Sequence, residues 1–125
     1  MLNKGDVVLG TFVTADGKVL KHYSVVLDRN ESGALLVYTT SMKENLARAN
    51  PRNRFSAEDM KAANFLNPCL WDASTACVVP HHLLRKTGTV TRDTLGRIAD
   101  AFSRARRDKS LRMSMYTEKG EVVCA

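Results

Sequence analysis

The sequence predicts a mainly β fold with α elements, of the α+β class, and three observations lead there. Runs of β-branched residues recur through the N-terminal third, separated by short polar turns. An Asp-Gly pair, Asp16-Gly17, sits between the first two runs, the strongest short hairpin signal. Near the C-terminus a single apolar stripe of period 3.6 follows a threonine suited to cap a helix.

The elements follow in order. Val7 to Val13 reads as a first strand and Val19 to Leu27 as its return. Within the return, Val25-Val26-Leu27 is continuously apolar, which predicts a strand buried on both faces. The polar run Asp28 to Gly33 predicts a turn, and Ala34 to Thr40 a third strand. Three strands joined by short turns form an antiparallel meander. Residues 42–74 then read as an insertion, polar and basic around Pro51, with a short helix over Phe55 to Ala63. Ser56 is placed to cap that helix, two acids fall in its first turn, and Phe55 can staple onto Met60. Thr75 to Pro80 predicts a later strand, and His81 to Lys86 continues extended. The main helix runs about 91–107: Thr91 caps it, and Leu95, Ile98, Ala99 and Phe102 form one apolar face. Leu111 to Tyr116 alternates weakly and predicts an edge strand, with a turn at Glu118 to Glu121.

Bulk properties bound the function. The 125 residues fit one domain, 1–125, large enough to bury a core without metal or disulfide support. Lysine and arginine number 19 against 13 acidic residues, a formal charge of +6 that favours polyanionic partners. The three cysteines, Cys69, Cys77 and Cys124, form no Cys-x-x-Cys pair. Free thiols in a reducing compartment are therefore expected, with no metal site and no cofactor. His81 and His82 are adjacent, so on a strand they would face opposite ways and not share an ion. Neither a secretory leader nor a membrane span is legible, and a cytoplasmic protein is expected.

Four blocks, in order, resemble the MazF/PemK toxin family. Lys4-Gly5-Asp6-Val7-Val8-Leu9 resembles the family's opening, and Val25-Val26-Leu27-Asp28 its second block. Thr40-Ser41 resembles the Thr-Ser that closes the third strand. Leu84 to Thr91, leading to Leu95 and Ile98, resembles the final segment that enters the C-terminal helix. The resemblance runs from Lys4 to about Phe102 and is poor between Met42 and Ser74. It implies a small SH3-like barrel of MazF/PemK/CcdB type, a homodimer, and an antitoxin partner that occupies the substrate groove. It implies metal-independent cleavage of single-stranded RNA by attack of a 2′-hydroxyl on the neighbouring phosphate.

One departure matters. The family's Arg-Pro falls on His22-Tyr23, whereas Thr40 and Ser41 remain. The reaction needs a proton taken, a proton given and a charged phosphorane stabilised. A guanidinium stabilises well but hardly deprotonates, while an imidazole exchanges protons near neutral pH. His22, Thr40 and Ser41 are therefore the expected catalytic set. Lys21, Lys43, Arg48, Arg52 and Arg54 are the expected RNA contacts, of the kind that position rather than specify. Phe55, Phe65 and Trp71 are candidate stacking platforms, with core packing the favoured role for Phe55 and Trp71. The alternative is a catalytically altered barrel that acts by binding a protein or nucleic-acid machine, as an inhibitor, adaptor or CcdB-like poison.

Overall fold

The structure, a computed structural model, describes residues 2–13, 16–41, 53–65 and 69–124. Seven strands form one sheet in the order β5-β1-β2-β3-β4-β6-β7. The meander comprises β1 (Asp6–Val13), β2 (Val19–Arg29) and β3 (Gly33–Ser41), each antiparallel to the next. Gly17 carries φ +82° in the β1–β2 turn, a conformation that glycine adopts without a Cβ clash. Helix α1 (Ala57–Ala62) follows, then β4 (Cys69–Pro80), a single 3₁₀ turn (His81–Leu83) and β5 (Leu84–Thr89). Helix α2 (Arg92–Arg107), β6 (Arg112–Tyr116) and β7 (Val122–Cys124) complete the chain.

The sequence reading of the meander and of both helix caps matches what is seen. Ser56 accepts from the Asp59 N–H in a reciprocal capping box, and Thr91 accepts from the Thr94 N–H. Two expectations are corrected. The later strand begins at Cys69 rather than Thr75, so the segment between β3 and β4 is shorter than 42–74. Its early half, Cys-Leu-Trp-Asp, buries Leu70 and Trp71 against β3 and lacks the alternation that marks a strand exposed on one side. Strand β6 is not an edge. It lies between β4 and β7, parallel to β4, and the intervening helix α2 supplies the crossover that a parallel pair needs.

Both sheet faces are covered, which explains the continuous apolar runs. Val7, Val25 and Val37 face one side and pack with Phe55, Trp71, Val90 and Ile98 beneath the two helices. Val8, Val26 and Leu36 face the other side, with Phe12, Cys77 and Val79. The sheet curls around this second cluster. Beyond Gly10, where the β5 pairing ends, β1 reaches the chain just before β7: Val13 bridges Glu121, and its N–H donates to the Gly120 carbonyl at 2.7 Å. That seam is one bridge and not a ladder, so the sheet is strongly curled but does not close as a barrel among the described residues.

Asp59 ties the two helices together. It is fully buried on α1 and accepts from the Thr91 N–H at 2.8 Å, the Thr94 hydroxyl, and the Ser56 N–H and hydroxyl. Burial works to raise its pKa. The bonds from Thr91, Thr94 and Ser56 outweigh that and hold the carboxyl below its ordinary value.

Candidate functional site

The even positions of β2 share the concave face, so Leu20, His22, Ser24 and Val26 line up on it. On β3 the same face carries Leu36, Tyr38 and Thr40. At the open end of the curl these strands bound a cavity of about 400 Å³, lined by Phe12, Val13, Leu20, His22, Tyr38, Tyr116 and Val122. It lies at the seam, with Phe12 and Val13 of β1 on one side and Val122 of β7 on the other. Gly10 pairs with His22 across β1 and β2, and a Cβ there would overlap the Phe12 ring. The glycine is what lets that ring lie flat against the strand.

His22 is half-buried. Its Nε2 lies 2.8 Å from the Thr39 carbonyl, which can only accept, so Nε2 carries a hydrogen. Burial lowers its pKa below the usual 6.5, partly opposed by the bond to Thr39. The neutral ring so favoured keeps an unprotonated Nδ1, a lone pair able to accept a proton or a hydrogen bond. The ring packs 5.1 Å from Tyr38 at an interplanar angle of 59°. Tyr38 and Tyr116 share a hydroxyl–hydroxyl bond of 3.2 Å. Burial, then the neighbouring Cys77 and Tyr116, push the Tyr38 phenol well above the usual tyrosine range. Phe12 and Tyr116 pack at 4.6 Å. One step deeper on β2, the Ser24 hydroxyl is fully buried and has no hydrogen-bond partner among the described residues.

The remaining candidates fall as follows. Thr40 shares the sheet face of His22 and pairs with Leu70 of β4. Ser41 ends β3, paired with Cys69. Lys21 is exposed, and strand alternation sends it to the face opposite His22. Arg54 is exposed and forms an isolated bridge with Leu70, so it lies across β4 from Thr40. Lys43, Arg48 and Arg52 lie outside the described residues. Phe55 and Trp71 are core residues, while Phe65 is half-buried against Phe55 and Tyr23.

Sequence reasoning missed the aromatic lining. Tyr38 and Tyr116 stand 78 positions apart, and only the parallel β4–β6 pairing brings their strands to one side of the curl. The even-position alternation Leu20, His22, Ser24, Val26 was the available signal for the burial of His22.

His81 and His82 have structural partners. Nε2 of His81 donates to the Asn30 carbonyl and Nε2 of His82 to the Glu118 carbonyl, each at 2.6 Å. Among the described residues no cluster of His, Cys, Asp and Glu side chains is placed to hold a metal ion. No helix among them is long and apolar enough to cross a membrane. Neither comparison with protein-family models nor comparison with curated proteins finds a match to this chain.

Proposed function

We propose that this chain is a diverged MazF/PemK-like protein, an SH3-like barrel whose homodimer cleaves single-stranded RNA without a metal ion. The observation that carries the reading is the state of His22. It is a half-buried imidazole with Nε2 engaged on a backbone carbonyl, a lowered pKa, and Thr40 on its own sheet face. Nδ1 takes the proton of a 2′-hydroxyl as that oxygen attacks the adjacent phosphorus. The P–O5′ bond breaks, the leaving oxygen takes a proton from solvent, and the strand ends in a 2′,3′-cyclic phosphate and a 5′-hydroxyl. Thr40 and Ser41 orient the phosphate. Lys43, Arg48, Arg52 and Arg54 contact the strand on either side, which the net charge of +6 favours, whereas Lys21, on the opposite sheet face, takes no part in that contact. In this reading a cognate antitoxin covers the same cleft.

The test is incubation of the pure protein with mixed single-stranded RNA in EDTA. The reading expects cyclic-phosphate ends from wild type and a loss of about 10²-fold or more in His22→Ala, the usual scale of general-base catalysis. Undiminished cleavage by that variant removes His22 from the mechanism.

A second reading, binding without catalysis, has one specific observation in its favour. The cavity lining contains no lysine or arginine to stabilise a phosphorane. Wild-type protein that cleaves no RNA but captures a protein or nucleic-acid partner would select it.

A further inference from the structure

We infer that the cavity at the sheet seam receives one unstacked base of a single-stranded nucleic acid. The base sits among Phe12, Tyr38 and Tyr116, and its polar edge meets the Tyr38–Tyr116 hydroxyl pair. The inference rests on the nucleic-acid reading above and adds the group that enters the fold.

The lining selects by charge, shape and hydrogen bonding. Five of its side chains are Phe12, Leu20, Tyr38, Tyr116 and Val122, and none of the lining residues is acidic, lysine or arginine. A carboxylate, ammonium or phosphate inside would therefore be buried without a counter-charge, which is costly. A neutral planar ring meets no such penalty. The volume of about 400 Å³ lies within the range of sites that take small aromatic ligands. The ring pairs His22–Tyr38 and Phe12–Tyr116 are tilted at 59° and 39°, so they do not stack flat on each other and exhaust both faces. Hydrogen bonding then separates a base from a plain hydrocarbon. The Tyr38–Tyr116 hydroxyl pair can turn to donate to or accept from the polar edge of a base. Leu20, 51% exposed, lines the cavity from the strand end next to the β1–β2 turn, where an entering base would slide against it. The phosphates stay outside the cavity.

The test uses 2′-deoxy hexamers, which lack the attacking hydroxyl and so report binding alone. A fluorescently labelled deoxyuridine hexamer is compared with an abasic hexamer of equal charge by anisotropy. Wild type is expected to bind the base-bearing strand about tenfold tighter or better, the scale of one stacked base. Tyr116→Ala, which removes the ring and its hydroxyl, is expected to erase most of that preference, and Tyr116→Phe, which keeps the ring, to retain part of it. Leu20→Trp, at an exposed position, is expected to obstruct entry with the fold intact by circular dichroism, which covers the case that Tyr116→Ala does not fold. Equal affinity for the two hexamers, or a preference unchanged in a folded Tyr116→Ala or Leu20→Trp, overturns the inference. Base preference without cleavage of the ribo-hexamer upholds the pocket and removes the nuclease. Cleavage with no base preference removes the pocket and leaves the nuclease.

Discussion

Replacing Asp59 by asparagine is expected to cost about 3 kcal/mol of stability at pH 7, on hydrogen-bond magnitudes of about 1–3 kcal/mol for each buried donor left unpaired. The carboxylate is fully buried and receives four donors, from the Thr91 N–H, the Thr94 hydroxyl, and the Ser56 N–H and hydroxyl. An amide of the same shape offers one oxygen and turns its NH₂ toward a backbone N–H, of Thr91 or of Ser56, that cannot accept it. Losing the side chain's half of the capping box adds about 1 kcal/mol at the first turn of α1, and relaxation of the exposed Ser56 offsets part of the sum. The effect should depend on pH with a defined sign. The folded-state pKa of Asp59 is lowered, so its contribution is complete above the unfolded value of about 3.9 and fades as pH falls through the folded one. Urea unfolding followed by Trp71 fluorescence and far-ultraviolet circular dichroism reads both effects. Wild type and Asp59→Asn should differ most near neutral pH and converge below about pH 4. A variant within about 0.5 kcal/mol of wild type at pH 7, with an unchanged denaturant slope, would refute the claim that this carboxylate joins the helices.

Other outcomes follow from the same packing. Gly88→Ala should destabilise by about 2 kcal/mol or more, because a Cβ there would overlap the backbone of Ala62 and Ala63 on α1; thermal unfolding measures it. Thr91→Ala should cost about 1 kcal/mol through loss of the α2 cap, read by the same melt. Burial pushes the Cys77 thiol up to about 12 and the Cys69 thiol up to about 11, so both should resist alkylation at pH 8 until urea exposes them, with mass spectrometry locating the label. The lowered pKa of His22 means the fold prefers its neutral ring. Stability from this group should be complete above the unfolded value of about 6.5 and decline below it, and His22→Gln should flatten that part of the pH profile.

Much of the fold was legible because local signals agreed with the tertiary answer. The continuous apolar run of β2 predicted a strand buried on both faces, and Val25 and Val26 do split between the two core clusters, as do Val7 and Val8 of β1 and Leu36 and Val37 of β3. Thr91 marked the start of its helix by cap chemistry, and the apolar stripe that follows marked its length. The features that escaped depend on contacts distant in sequence. Asp59 reads as a surface acid that favours a helix N-terminus, and nothing in the chain announces that Thr91 and Thr94 will enclose it. Strand β6 acquires its neighbours only because α2 carries the chain back to β4. His22 was singled out through the resemblance, which puts it at the Arg-Pro position. Its aromatic surroundings come from β1, β3 and β6 together, and no single segment encodes them.

The most direct trial of the functional account follows RNA chemistry at one atom. A short RNA that wild type cuts in EDTA is resynthesised with a single 2′-deoxy residue on the 5′ side of the cut. It is then given to wild type and to His22→Ala. The account expects cyclic-phosphate ends from the all-ribose strand with wild type, none from the deoxy-substituted bond, and cleavage at least about 10²-fold slower in the variant. Cutting at the deoxy-substituted bond, or equal rates in the two proteins, would contradict it.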